Sequence, residues 1–89
     1  MIPFEWCLSK ITEYQAHEML KDWHPKKLSN WFREYSTCEF WHFNRPDNKM
    51  FGVAAVENGE VISQYYISIK GKNYEVSIIR YLSHSLLYC

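Results

Sequence analysis

The hydrophobic positions of this chain repeat with two different periods. In the first half, apolar residues recur every three or four positions, as they do along one side of an α-helix. Two such stripes occur: Ala16, Met19, Leu20 and Trp23, then Leu28, Trp31, Phe32 and Tyr35. They predict helices over residues 12–24 and 25–35. Pro25 divides them, because proline favours a first helical turn and disfavours helical geometry in the residue before it.

Short signals mark the beginning of the first helix. Thr12 is suited to an N-cap, Gln15 completes a capping box three residues later, and Ile11 can pack across the helix start. Residues 4–10 have the pattern of a short strand. The first part of the chain is therefore predicted to be a strand followed by two amphipathic helices.

From residue 38 onward the period changes to two, which is typical of β-strands. Extended segments are predicted at residues 38–44, 50–57, 60–69 and 74–82. Turn signals separate them: Arg45-Pro46-Asp47-Asn48, Asn58-Gly59 and Gly71-Lys72. The sequence thus predicts an α+β fold, a single domain over residues 1–89, in which an antiparallel β-meander packs on the two helices.

The two tight turns predict which strand residues face each other. Counting from the turns gives these pairs: Val56–Val61, Ala54–Ser63, Gly52–Tyr65, Met50–Ile67, Ile69–Tyr74, Ile67–Val76, Tyr65–Ile78 and Val61–Leu82. These residues are mostly apolar, and their face is predicted to lie under the helices. The opposite face is predicted to carry five large apolar side chains: Phe51, Ile62, Tyr66, Ile79 and Tyr81. Residues 38–44 or the C-terminal tail can cover part of it, and what stays open is predicted to contact a partner protein or a second copy of the chain.

The composition narrows the classes of function. In 89 residues, ten Lys and Arg balance ten Asp and Glu, and the isoelectric point is about 6.9. This balance argues against a non-specific nucleic-acid binder. Cys7, Cys38 and Cys89 form no paired set, so reduced thiols in a cytoplasmic protein are expected. No apolar run is long enough for a membrane helix, and the N-terminus lacks the pattern of a signal peptide.

Candidate chemistry is sparse. Cys38 and His42 lie four residues apart, but two ligands do not make a metal site. The sequence contains no nucleophile motif and no glycine-rich phosphate loop, so no catalytic residue, metal or cofactor is predicted. Arg80 is predicted to point to the helix-packed face opposite Ser63, where it is expected to need a carboxylate or carbonyl partner or to lie at the end of the sheet.

Basic residues are frequent in the helical part of the chain: Lys21, Lys26, Lys27 and Arg33. Aromatic side chains beside cations are typical of proteins that bind single-stranded nucleic acid. The helical spacing, however, assigns Trp23 and Trp31 to the core, which leaves the cations as ordinary solvated charges. Nucleic-acid binding by this basic patch is therefore the weaker alternative.

The order of elements resembles the N-terminal half of the GCN5-related N-acetyltransferase family. Residues 11–24 are similar to the first helix of that family, residues 51–62 to its second and third strands, and residues 74–82 to its fourth strand. The family binds acetyl-CoA through a basic, glycine-rich loop after that strand. Here Ser83-His84-Ser85-Leu86-Leu87-Tyr88-Cys89 follows instead, so the resemblance implies a truncated or repurposed half-fold without a cofactor site.

Two functions compete on these grounds. The first is a non-catalytic accessory protein that binds another protein, as phages and mobile elements use to inhibit a host enzyme or defence complex in the host cytoplasm. The second is an acetyltransferase-like protein or subunit that needs dimerisation or a second chain for acyl-CoA chemistry. The first is favoured, because the sequence is compact and rich in aromatic residues but shows no reactive constellation.

Overall fold

The computed structural model describes residues 6–23 and 25–81 of the chain. It contains β1 (Cys7–Ile11), α1 (Glu13–Leu20), α2 (Pro25–Glu34), β2 (Glu39–Asn44), β3 (Met50–Glu57), β4 (Glu60–Lys70) and β5 (Asn73–Arg80). The five strands form one antiparallel sheet in the order β1-β2-β3-β4-β5. This confirms the predicted α+β fold. Residues 4, 5 and 82 of the predicted strands lie outside the described residues.

The beginning of α1 confirms the predicted cap. The Gln15 amide donates to Thr12 Oγ1 at 3.0 Å, and the Thr12 amide donates to Gln15 Oε1 at 2.8 Å. These bonds pair backbone amides near the helix start that no residue within the helix can satisfy. α1 ends at Leu20 rather than at residue 24, and the Trp23 amide donates to the Leu20 carbonyl in the turn that follows.

The predicted stripes form most of the contact between helices and sheet. Four of the eight stripe residues are at most 1% exposed: Ala16, Leu20, Leu28 and Trp31. Phe32 is also buried, and Tyr35 and Trp23 are half-buried. Met19 was predicted to be buried, but 40% of its surface is exposed, since it lies at the margin of the stripe that Ala16 and Leu20 define.

Both tight turns have the predicted form. Asn58 and Gly59 have positive φ angles of 53° and 80°, as a type I′ turn requires. In the second turn Gly71 has a φ of 63°, which fits the predicted type II′ turn. Glu57 then pairs with Glu60, and Lys70 with Asn73. The pairing of β4 with β5 agrees with the predicted register throughout the described strands.

The register of the first hairpin differs from the prediction by one residue. Val56 pairs with Val61 as expected, but Ala55, not Ala54, pairs with Ser63, because Ile62 is inserted as a β-bulge. From there on Val53 pairs with Tyr65, and Phe51 with Ile67. Side chains alternate between the two faces of a strand. This single inserted residue therefore places the β3 side chains on the face opposite to the predicted one, relative to β4 and β5.

We call the sheet surface that packs on α1 and α2 the helix face. Its core joins the buried helix residues to buried strand residues: Phe40, Val53, Ala55, Tyr65 and Ile67. We call the opposite surface the back face. Its centre is a second buried cluster: Phe43, Ala54, Val56 and Val61. No helix in the described residues has the length and apolar character needed to cross a bilayer.

Candidate binding surfaces

The five residues predicted to share a contact surface lie on two different faces. Phe51 and Ile62 pack against the helix-face core, and the Phe51 ring meets Trp23 edge-on with centroids 6.2 Å apart. Tyr66 and Tyr81 pack against the back-face cluster. The prediction of one continuous five-residue surface is therefore wrong, and the Ile62 bulge is the physical reason.

The back face is largely filled at its centre. Ala54 and Val56 are at most 1% exposed, and so is Gln64, whose Oε1 accepts a hydrogen bond from the Tyr81 hydroxyl at 3.4 Å. Trp6, Trp41 and Tyr66 surround this cluster. Tyr66, Ile79 and Tyr81 are half-buried, and their contact with a partner stays a prediction. The back face therefore does not present the open apolar surface of five large side chains that was predicted.

The buried polar groups of the helix face serve the fold. Trp31 Nε1 donates to Ser63 Oγ at 2.9 Å, and that hydroxyl donates to the Ile79 carbonyl at 2.7 Å. The chain of bonds ties α2 to β4 and β5 inside the core. The Tyr65 hydroxyl donates to the Trp23 carbonyl at 2.7 Å, and burial raises the pKa of Tyr65 to about 12.

Arg80 finds the carboxylate that its position required. Its guanidinium makes two hydrogen bonds of 2.7 Å to Glu34 at the end of α2. The side chains are 50% and 44% exposed, so this is a surface pair and not a buried charge. The Arg80 hydrogen bonds lower the pKa of Glu34. We assign the pair to holding the end of α2 on β5.

The cysteine and histidine residues form no metal centre in the described part of the chain. No group of three or more His, Cys, Asp or Glu that could hold an ion occurs in residues 6–23 and 25–81. Burial raises the pKa of the Cys7 and Cys38 thiols, and burial lowers the pKa of His42. Both thiols are therefore protonated and weakly nucleophilic at neutral pH.

The two edges of the sheet differ in how well they are protected. The β1 edge has only five residues, and its ladder is interrupted at Leu8, which has no partner on β2. β5 has eight residues and pairs with β4 without interruption. Short, bulged edges resist pairing with another strand, whereas long, regular edges accept it. The alternation of residues along a strand predicts its two faces but not whether it lies at an edge, so the sequence gives no signal for this difference.

The four residues of the predicted basic patch do not all lie together in the structure. Lys21 and the two lysines at the start of α2, Lys26 and Lys27, lie at one end of the sheet, together with Trp23. Arg33 lies in the last turn of α2, toward the opposite end. A shallow groove is lined by Pro25, Lys26, Lys27 and Asn30. Three of the four predicted basic residues are thus brought together, and the fourth is not.

Comparison with known proteins identifies no relative: no family model, no curated protein and no solved structure matches this chain. The likeness to acetyltransferases therefore stays a prediction. The segment after β5, where that family has its cofactor loop, lies outside the described residues. The function has to be argued from the surfaces of the chain itself.

Proposed function

We propose that this chain is a non-catalytic accessory protein that binds another protein. An extended segment of that partner pairs with the β5 edge of the sheet as an additional strand. The observation that carries the proposal is the geometry of that edge. A strand at the edge of a sheet offers backbone N–H and C=O groups in the direction away from its neighbour, and many proteins use such an edge to capture a partner strand.

The direction of these groups follows from the hairpin. Lys70 and Asn73 close a two-residue turn and so form a hydrogen-bonded pair, and the Tyr81 amide donates to the Ile62 carbonyl. Odd-numbered residues of β5 therefore direct their backbone groups to β4. Even-numbered residues direct theirs outward: Tyr74, Val76, Ile78 and Arg80.

The side chains along the edge suit a partner strand. Val76 and Ile78 are half-exposed on the helix face, and Tyr74 is 55% exposed. A strand added here would bury these apolar side chains while its backbone completes the ladder. The role of inhibitor of a host enzyme or defence complex, encoded by a phage or mobile element, belongs to the same proposal and names the kind of partner.

The test uses proline on the outward positions. In Val76→Pro the missing N–H is one that points away from β4, so the internal ladder is retained while pairing with a partner strand is blocked. Leu8→Pro is the matched control on the other edge, at the residue without a β2 partner. Circular dichroism and melting verify that both variants fold.

The proposal is supported if the wild type and Leu8→Pro capture the same proteins from a bacterial lysate and Val76→Pro does not. Capture of the same proteins by Val76→Pro would contradict it. If light scattering shows that the wild type is a dimer and that Val76→Pro is a monomer, the edge binds a second copy of the chain instead.

We expect no tight binding of acetyl-CoA by the isolated chain. Micromolar binding in calorimetry would favour the acetyltransferase alternative.

A further inference from the structure

The balanced net charge of the chain conceals a strong separation of charge. Seven of its ten Lys and Arg residues lie in residues 21–23, 25–27, 45–49 and 70–75, together with three carboxylates, and a fourth carboxylate, Glu18, pairs with Lys21. The order of strands and helices brings these segments to the same end of the sheet. We call this region the basic end.

Contacts between the segments confirm that they meet. The Trp23 ring lies edge-on to Tyr74, with centroids 4.4 Å apart, and also contacts Phe51 next to the β2–β3 turn. The Ile69 amide donates to the Lys49 carbonyl at 2.8 Å, which joins that turn to the end of β4. The segment between α1 and α2, the β2–β3 turn and the β4–β5 turn are thus neighbours.

Several cations of the basic end form no ion pair with a described residue. Lys21, Arg45 and Lys70 pair with Glu18, Asp47 and Glu75. Among the described residues, no carboxylate lies within ion-pairing distance of four exposed lysines: Lys26, Lys27, Lys49 and Lys72.

Two of these lysines occupy positions that are unfavourable for the fold. The first turn of α2 contains Lys26 and Lys27 and no acidic residue, although the positive end of a helix dipole favours carboxylates there. Cations placed against the local rule are expected where function requires them. The helix end adds its own partial positive charge to the same surface.

We infer that the basic end binds single-stranded nucleic acid, and that Tyr74 stacks against a base while the unpaired lysines contact phosphates. Tyr74 is an exposed aromatic ring on a strand, in edge-on contact with Trp23 and two residues from Lys72 in the chain. Lysines alone would suit any polyanion, but an exposed ring among them suits nucleobases. This inference does not rest on the proposed function, because the unpaired lysines lie outside the β5 edge; the two surfaces share Tyr74.

The experiment measures fluorescence anisotropy of labelled single-stranded DNA and RNA of about 12 nucleotides with the purified chain. At about 50 mM NaCl we expect binding that weakens with salt by roughly 0.7 in log Kd per log salt for each contacted phosphate. Lys26→Glu/Lys27→Glu should weaken binding about tenfold or more and should not lower the Tm, since carboxylates suit this helix end. Loss of binding then cannot arise from unfolding.

Matched variants at the opposite end separate this site from general charge effects. Arg33→Glu reverses one charge and is compared with the single variant Lys26→Glu, and Tyr14→Ala removes a tyrosine that is 72% exposed at the start of α1. Both should change Kd less than about twofold. Tyr74→Ala should weaken binding about 5- to 100-fold, whereas Tyr74→Phe should retain it.

Three results would overturn the inference. The first is no binding of either single strand at about 100 µM protein, the weak limit of non-specific affinities. The second is binding of a duplex as tight as that of the single strand with Tyr74→Ala unchanged. The third is equally tight binding of a polyglutamate peptide with Tyr74→Ala unchanged, which would assign the basic end to an acidic protein surface.

Discussion

Trp31 and Tyr65 each carry one polar atom into the helix-face core, and each finds an acceptor there. Ser63 accepts from Trp31, and the Trp23 carbonyl accepts from Tyr65. The sequence indicated that Trp23 and Trp31 belong to the core, but their roles are unequal. Trp31 is completely buried among four other aromatic rings of helix and sheet, whereas Trp23 is half-buried and packs at the basic end.

The two tryptophans should therefore differ in their contribution to stability. Trp31→Ala removes a buried ring and leaves a cavity, and we expect it to lower the free energy of unfolding by about 3–5 kcal/mol. Trp23→Ala should lower it by about 1–2 kcal/mol, because less surface is buried. Urea denaturation measures both. Equal losses would show that Trp23 is a core residue like Trp31.

Asp47 provides a prediction for pH. Hydrogen bonds from Arg45 and from the Lys49 amide lower the pKa of Asp47 from 3.8 to about 2. A carboxyl group with a lowered pKa in the folded state stabilises the fold above its unfolded pKa, and this contribution is lost as the pH falls toward the folded value. The stability difference between wild type and Asp47→Asn should then be constant above about pH 5 and shrink below pH 4.

Carboxyl NMR titration measures the Asp47 pKa directly. Arg45→Gln removes the largest cause of the shift and should return the pKa toward 3.8. An unchanged value in that variant would mean that the Lys49 amide alone holds the carboxylate. The Arg45 and Asp47 side chains are 38% and 46% exposed, so water screens the pair, and the effect is expected to be small in stability and clear in titration.

At the scale of elements, local signals predicted most of the fold. Thr12, Pro25, Asn58-Gly59 and Gly71 mark boundaries by chemistry that acts within a few residues, and each boundary falls close to its predicted place. The Ile62 bulge could not be predicted in this way. Residues 50–57 are apolar at almost every position, so β3 has no alternation that would reveal which of its faces is the core.

Gly52 shows how closely β3 and β4 approach each other on the side of the bulge away from the Asn58-Gly59 turn. A Cβ atom at this position would overlap the Tyr65 carbonyl oxygen and would lie 2.7 Å from Tyr66 Cα. Both are backbone atoms of the neighbouring strand and cannot move without disturbing the ladder. Glycine is therefore required here for space and not for a positive φ.

We expect Gly52→Ala to destabilise the fold by about 1–3 kcal/mol, as overpacking does. Gly59→Asn is the matched control, because its surroundings are open and asparagine tolerates positive φ. Thermal melting of the two variants tests the difference. A Gly52→Ala variant as stable as the wild type would mean that the two strands separate easily at this point.

At the scale of the whole molecule, the balanced net charge gives no indication of how the charges are arranged. Ten cations and ten carboxylates argue against a non-specific nucleic-acid binder, and the sequence predicted a basic patch only from the neighbouring residues Lys21, Lys26, Lys27 and Arg33. The fold separates them: five carboxylates and three cations occur in residues 10–13, 33–39, 57–60 and 80, at the end opposite the basic end. Sequence position shows only part of this, because the cations that meet come from three distant segments, residues 21–27, 45–49 and 70–75.

The separation of charge has a consequence for how the chain behaves at surfaces. Near pH 6.9, where its net charge is zero, the molecule is an electric dipole directed along its strands. We expect it to be retained at low salt by both cation- and anion-exchange resins, and elution in the void volume of both would contradict the separation. On a negatively charged support it will orient with the basic end inward. The Asn58-Gly59 turn then faces the solution, so an immobilised chain displays its acidic end.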